Sequence, residues 1–353
     1  MSATFTFSAA ALKIDAAETA ERIEIAIRDI VAGQLRRKGA VLGLSGGIDS
    51  SVTAALCVRA LGRDRVIGLF MPEADSSPDS LELGRLMAET LGIRTFLEDI
   101  TPILDGAGCY RRRDAAIRAV LPEYGDGYKC KIVLPDLVHS TAYPVFSVVT
   151  RSPEGVEKKV RLTAEACLGV VAATSFKQRT RKMIEYYYAD RFQMAVAGTP
   201  NLLEYDQGFF VKNGDGSADF KPIAHLYKSQ VYQLAAYLGV PEEIRSRPPT
   251  TDTYPLEQSQ EEFYFSLSLE KTDLCMFGRN HAVPPAEVAA ATGLSPEQVE
   301  RVYALIDSKR IATRYQHLPP VLVEDVNPAA RPIHEVPDTE DHSAPSASAM
   351  VGR

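Results

Sequence analysis

The stretch Ala40-Val41-Leu42-Gly43-Leu44-Ser45-Gly46-Gly47-Ile48-Asp49-Ser50-Ser51 joins an apolar run to a second one, Val52 to Leu61, with helical character. An apolar run, a glycine turn and a helical run in succession predict a strand–loop–helix unit. Its loop presents backbone N–H groups at a helix N-terminus. There the unpaired donors and the positive end of the helix dipole both favour an anion. Gly46 and Gly47 let the backbone approach phosphate with no Cβ between them. Ser45, Ser50 and Ser51 add hydroxyl donors, so the loop suits a pyrophosphate. A carboxylate would repel phosphate unless a cation lay between them, so Asp49 is expected to hold magnesium.

The loop is not a Walker A motif, because no Gly-Lys-Ser/Thr follows, and no third glycine makes it a dinucleotide fingerprint. It resembles the pyrophosphate loop of enzymes that split ATP into AMP and pyrophosphate. A Gly-Gly turn with a Ser or Asp N-cap is the plain alternative. The strand before it and the long helix after it favour the anion site.

Outward from the loop, residues 15–37 carry Ile23, Ile25, Ile27, Ile30, Val31 and Leu35 among charges, which predicts a helix. Arg65 to Pro72 reads as a buried strand, Asp79 to Leu91 as a helix ended by Gly92, and Arg94 to Ile100 as a third strand. This alternation predicts an α/β fold, a doubly wound parallel sheet with flanking helices. Residues 106–170 break the rhythm. Gly125-Asp126-Gly127 reads as a turn, and Tyr143–Thr150 and Val156–Thr163 flank Ser152-Pro153-Glu154-Gly155 as an inserted β-hairpin. A helix over 176–190 and a strand over 194–198 resume the sheet. Helices at about 228–239, 268–278, 284–292 and 295–313 give a helical C-terminal part. Residues 325–353, rich in Pro, Ser, Ala and acid, are expected to form a disordered tail.

The 353 residues carry a net charge of −7. That balance disfavours a nucleic-acid partner, whose binding surfaces are usually basic. No run approaches the roughly 18 apolar residues of a membrane span, and no signal-peptide pattern opens the chain, so the expected compartment is the cytoplasm. Cys57, Cys109, Cys130, Cys167 and Cys275 form no CxxC pair and read as reduced thiols.

A second loop, Gly198-Thr199-Pro200-Asn201-Leu202-Leu203-Glu204, also follows a buried strand. In a doubly wound sheet both loops lie at the carboxyl edge, where ligands bind. Glu204 could there share one magnesium with Asp49; alone it could equally be a helix-start acid facing the dipole. Downstream come Gly208-Phe209-Phe210-Val211-Lys212-Asn213-Gly214-Asp215-Gly216-Ser217-Ala218-Asp219 and Pro222-Ile223-Ala224-His225-Leu226-Tyr227-Lys228. Asn-Gly-Asp-Gly is also an ordinary turn signal. Lys228 at a helix start opposes the dipole, which suggests that it faces an anion; a solvated lysine is the alternative. His225 has no partner at metal-ligand spacing and reads as structural.

These strings, with Arg179-Thr180-Arg181-Lys182-Met183, Leu238-Gly239-Val240-Pro241-Glu242-Glu243-Ile244 and Pro249-Thr250, resemble the ammonia-dependent NAD synthetase family in content and order. The resemblance covers roughly 20–110 and 165–320 and implies an adenine nucleotide α-hydrolase-like fold. Residues 1–324 would form the synthetase-like domain, with an atypical insertion at about 123–163. The implied reaction adenylates the carboxylate of deamido-NAD with ATP, and ammonia then displaces AMP to give NAD. Asp49 and Glu204 would hold Mg2+. Ser45, Gly46, Gly47, Ser50 and Ser51 would hold pyrophosphate. Arg179, Thr199, Lys228 and Thr250 match ATP contacts, with Asp49 and Lys228 the catalytic pair. Lys212, Asp215 and Asp219 match contacts to the dinucleotide. The family also implies a homodimer. Ammonia would come from solution or from a separate glutaminase chain, since no stretch here has room for a glutamine-splitting domain.

The sequence departs from the family in four places. The stretch before Arg179 is longer. Ser175 and Val211 replace the usual Asn and Thr. Thr253 to Phe265 carries an aromatic cluster, and Lys309-Arg310 competes with Arg314 for a late basic position. The ATP half therefore matches better than the acyl half, which leaves amidation of a different carboxylate as the alternative. A tRNA-modifying or sulfur-inserting adenylating enzyme is a third reading, disfavoured by the charge and the scattered cysteines.

Overall fold

Ala40, Val41 and Leu42 are fully buried, as the central strand of a parallel sheet must be. They belong to β1 (Ala40–Gly43) in a computed structural model that describes residues 7–133, 146–248, 253–258 and 267–324. Before it, α1 (Ala16–Arg28) starts at Asp15, whose carboxylate accepts from the Glu18 N–H at 3.0 Å. After it come α2 (Ile48–Leu61), β2 (Val66–Phe70), α3 (Pro78–Leu91), β3 (Arg94–Leu97), α4 (Thr101–Gly106) and α5 (Cys109–Arg118). The strands β4 (Lys129–Val133), β5 (Ser147–Arg151) and β6 (Glu157–Arg161) precede α6 (Ala164–Phe192) and β7 (Ala195–Val196). The remainder is helical: α7 (Leu202–Asp206), α8 (Lys228–Tyr237), α9 (Glu242–Arg245), α10 (Leu269–Asn280), α11 (Pro285–Thr292) and α12 (Pro296–His317).

The main sheet is parallel throughout, in the order β3-β2-β1-β7. The chain runs outward from β1 to β3, then returns to β7 on the other side of β1. The loops after β1 and β7 therefore leave the sheet in opposite directions and open a crevice at its carboxyl edge. Helices cover both faces. Ile23, Ile27, Val52, Leu56, Val231 and Leu234 of α1, α2 and α8 pack on one, and Leu104 and Tyr188 of α4 and α6 on the other. Fully burying each such aliphatic side chain stabilises by about 1.5–3 kcal/mol. The helices α10 to α12 add a separate apolar cluster around Leu274, Met276, Val288, Val299 and Ile306.

The expected hairpin exists: β5 and β6 are antiparallel, and Gly155, at φ 85°, completes the turn between them. It is part of a larger unit, because β4 pairs with β5 to make a three-stranded antiparallel sheet. Ile132, Val148 and Leu162 of this sheet region pack against Ile117 and Val170 of α5 and α6. The helix expected over 176–190 starts twelve residues earlier, at Ala164. Thr163 caps it, its hydroxyl accepting from the Ala166 N–H at 3.1 Å. The chain divides after His317 into two units; the elements described here belong to the first. The expected tail at 325–353 lies outside the described residues. All five cysteines are free thiols, and among the described residues no helix is long and apolar enough to cross a membrane.

Candidate active site

Gly47 is the N-cap of α2, so Asp49, Ser50 and Ser51 ride on the first helical turn rather than in the loop before it. The Ser50 and Ser51 hydroxyls each donate to the Gly47 carbonyl at 2.9 Å. The Ser45 hydroxyl accepts from the Gly47 N–H at 3.3 Å and lies 3.2 Å from Ser50 Oγ. Gly46 has φ 73°, and a Cβ there would stand 2.5 Å from the Ser80 carbonyl of α3. That glycine is dictated by the fold. Gly47 has an ordinary φ of −86°, and its Cβ would meet only Ser45 Oγ, at 3.3 Å. Its bareness serves whatever occupies the crevice.

Residues Ser45 to Ser50 line a cavity of about 660 Å³, a volume suited to a nucleotide-sized ligand. Thr199, Glu204, Asp215 and Lys228 line it too. Ser51 does not: it is fully buried with its hydroxyl turned back on the helix. In this structure it braces the loop instead of donating into the cavity.

Asp49 is held from two sides. Its Oδ1 accepts from Asn201 Nδ2 at 3.1 Å, and its Oδ2 accepts from the Lys228 ammonium. Asn201 is fully buried and forms a capping box with Glu204. Its side-chain oxygen accepts from the Glu204 N–H, and the Glu204 carboxylate accepts from the Asn201 N–H, both at 3.2 Å. Burial, together with the negative charge of Asp49, pushes the Glu204 carboxyl up to about 7; Lys228 opposes that rise. Burial works against the Lys228 ammonium, yet Asp49 and Glu204 outweigh it and hold its pKa above the usual lysine value. Lys228 opens α8, where a cation is out of place. Asp273 of α10 compensates by accepting from the Ser229 N–H at 2.7 Å and the Lys228 N–H at 3.4 Å. It is fully buried, and burial pushes its carboxyl up to about 6.

Two carboxylates with hydroxyls nearby are a hard-oxygen donor set. Magnesium commonly takes one or two carboxylates and completes its shell with phosphate oxygens and water. Burial first, and then the neighbouring Asp49 charge, raise the Glu204 carboxyl, and a divalent cation between the two carboxylates would offset both effects. Asp49 and Glu204 therefore fit the ion. Among the described residues no group of three acidic, His or Cys side chains forms a fuller cage.

The other expected residues divide. The Asp215 carboxylate accepts from the Val211 N–H at 2.8 Å, and burial raises its pKa. Arg179 and Lys212 lie together outside the cavity, Arg179 Nε donating to the Lys212 carbonyl at 3.3 Å. Lys212 Nζ donates in turn to the Tyr315 carbonyl at 2.8 Å. Asp219 is turned away from the cavity, accepting from the Val196 N–H at 2.7 Å and the Tyr186 hydroxyl at 3.3 Å. It secures the end of β7. Thr250 lies outside the described residues. Arg310 is tied to Asp206 at 2.8 Å, so of the late basic residues it is committed within the helical part. Asn201, Asp273 and Arg247 carry no local sequence signal of a site role; Arg247 lines the cavity, as does Arg181 of the basic string. Ile132 within β4, Phe146 just before β5, and Tyr254 line it as well.

A glycine–serine loop and a carboxylate pair at the switch point of a parallel sheet define an α/β enzyme acting on nucleotide phosphates. The chain matches the family model described as NAD synthase over residues 19–114 and 151–315. It is 60% identical over 320 residues to the NH(3)-dependent NAD(+) synthetase of Rhizobium meliloti (strain 1021), a match spanning 91% of this chain and 96% of that protein. Its fold is similar to the NH3-dependent NAD synthetase from Campylobacter jejuni, with TM-score 0.58 and 23% identity over 88% of this chain and 100% of that one. It is also similar to NMN synthetase from Francisella tularensis, with TM-score 0.58 and 21% identity over 88% and 99%. The chain belongs to the NAD synthase family.

Proposed function

We propose that this chain makes NAD from deamido-NAD, ATP and ammonia, releasing AMP and pyrophosphate. A carboxylate oxygen of the substrate attacks the α-phosphorus of ATP, and the bond from that phosphorus to the bridging oxygen of pyrophosphate breaks. The acyl-adenylate then takes ammonia at its acyl carbon, AMP leaves with the former carboxylate oxygen, and the nitrogen gives up a proton. The observation that carries the reading is the convergence of Asp49, Glu204 and Lys228 on the glycine–serine loop. The N–H groups around Gly46 and Gly47 and the Ser45 hydroxyl hold the leaving pyrophosphate. Lys228 neutralises charge on the phosphates as it builds in the transition state. Magnesium held by Asp49 and Glu204 would supply further charge neutralisation to the phosphate oxygens.

Thr199 and Asp215 complete the contacts inside the cavity. Adjacent outside it, Arg179 serves ATP and Lys212 the dinucleotide, as the family resemblance implies. The relatives are named for ammonia, and ammonia from solution is the nitrogen source in this reading; the separate glutaminase chain gains no support. We read the enzyme as a cytoplasmic homodimer. Met183 and Tyr187, exposed along α6, offer a second copy an apolar contact, while the exposed Leu168 and Val171 of the same helix lie at the cavity. A purified sample supplied with ATP, magnesium, ammonium and deamido-NAD should form NAD, one AMP appearing per NAD. A folded chain that forms none, or that amidates another nicotinate carboxylate faster, overturns the reading. A monomer in solution overturns the dimer.

A further inference from the structure

Lys177, midway along α6, has no exposed surface, and a lysine has three N–H donors to satisfy. Nζ lies 2.9 Å from Glu73 Oε1, 2.6 Å from Asp75 Oδ2 and 2.8 Å from the Thr253 carbonyl. The carboxylates are held in turn. Tyr110 donates its hydroxyl to Glu73 at 2.8 Å, and Arg113 donates to Asp75 at 2.5 Å. A buried ammonium is an expensive way to fill space, so a thioether of similar length would serve packing better. What the ammonium adds is direction: three bonds to two chain segments remote in sequence.

Both segments wall the cavity. Ser76 and Ser77 follow Asp75, and Thr253 and Tyr254 start the stretch 253–258. That stretch continues onto the inserted sheet. The Leu256 N–H donates to the Cys130 carbonyl at 3.2 Å, Lys131 Nζ donates to the Glu257 carbonyl at 3.2 Å, and Gln258 Nε2 donates to the Ile132 carbonyl. Ile132 and Phe146 reach the same cavity.

We infer that Lys177 is a positioning residue for the nucleotide. Without touching substrate, it fixes two walls of the cavity and, through 253–258, seats the inserted sheet as a third. The inference rests on reading the cavity as the ATP site, and it gives the insertion a role in shaping that site.

The chain has no tryptophan, so Phe146→Trp places a single indole in the wall formed by the insertion. In this background ATP should change the indole emission on binding. Adding Lys177→Met should raise the ATP concentration needed for that change, and the KM for ATP, by about tenfold, with kcat at saturation within about threefold. General destabilisation would instead lower kcat and the folded fraction together. Gln258→Leu loosens the same wall from its other end and removes a side-chain oxygen that has no partner here. It should raise the KM for ATP by a smaller factor. A folded Lys177→Met variant with parental ATP titration and KM overturns the inference. If that variant does not fold, an unchanged KM in Gln258→Leu overturns it. A parent that makes no NAD overturns the functional reading instead, while the emission titration still decides the role of Lys177.

Discussion

Asn201 Nδ2 donates to Asp49 Oδ1 at 3.1 Å, while the oxygen of the same amide caps α7 through the Glu204 N–H at 3.2 Å. One buried side chain thus ties together two carboxylates on the first turns of α2 and α7, the helices that follow β1 and β7. Asn201→Ala should cost about 1 kcal/mol of stability through the lost cap. Turnover should fall by about 10–100-fold, the usual penalty for removing an outer partner of a metal ligand. Thermal melts and a coupled NAD assay check both; parental turnover would refute the bridging role.

Lys228 and Asp49 are both largely shielded from water, so removing one strands the other. Lys228→Met should lower stability by about 3 kcal/mol and abolish most NAD formation. Denaturant titration and single-turnover AMP release measure the two effects separately. A stable variant that still adenylates substrate at the parental rate would exclude Lys228 from the chemistry.

Asp273 gives a pH dependence with a defined sign. Its carboxyl rises from 3.8 in the reference state to about 6 in the fold, so the folded chain binds its proton more tightly than the unfolded chain. The stabilisation linked to this group is complete below pH 3.8 and is lost as pH rises towards 6. Asp273→Asn cannot titrate. Relative to the parent it should therefore gain on the order of 2 kcal/mol between pH 4 and pH 7. Parallel melts across that range test this; a pH-independent difference would refute it.

The adjacent glycines should fail differently. Gly46→Ala forces a Cβ against the Ser80 carbonyl at positive φ and should cost about 1–3 kcal/mol. Gly47→Ala should fold almost normally yet raise the KM for ATP, because its Cβ intrudes only on the space above the loop. Melting temperature and KM, measured side by side, separate the two.

Periodicity and loop chemistry predict the parallel sheet and draw attention to Asp49, Glu204 and Lys228, which meet at the cavity; locally Glu204 could still be a helix-start acid and Lys228 a solvated lysine. Strands buried on both faces and glycine loops at helix starts leave local signatures. What escaped was set by tertiary contact. The first turns of α6 contain Gly169, Val170 and Val171, weak helix formers. The helix forms there because it packs closely on α5: a Cβ on Gly169 would lie 2.9 Å from that of Ala116. β4 is five residues whose partner, β5, comes later in the chain. Asn201 stood in plain view beside Glu204, but its bond to Asp49 spans 152 residues. Asp273 lies in an ordinary amphipathic helix, and Asp219, chemically plausible for a ligand, is spent on the Val196 N–H.

The pairing of Lys228 with Asp49 joins positions 179 residues apart, and the cap from Asp273 comes 45 residues later still. During synthesis the loop therefore leaves the ribosome roughly 10–40 s before the lysine that completes it. Throughout that interval a nascent chain carries a glycine–serine loop with no ammonium to balance Asp49. The loop and its counter-charge are thus completed only when the chain's two distant stretches are both present, so the site is a property of the finished fold and not of the loop.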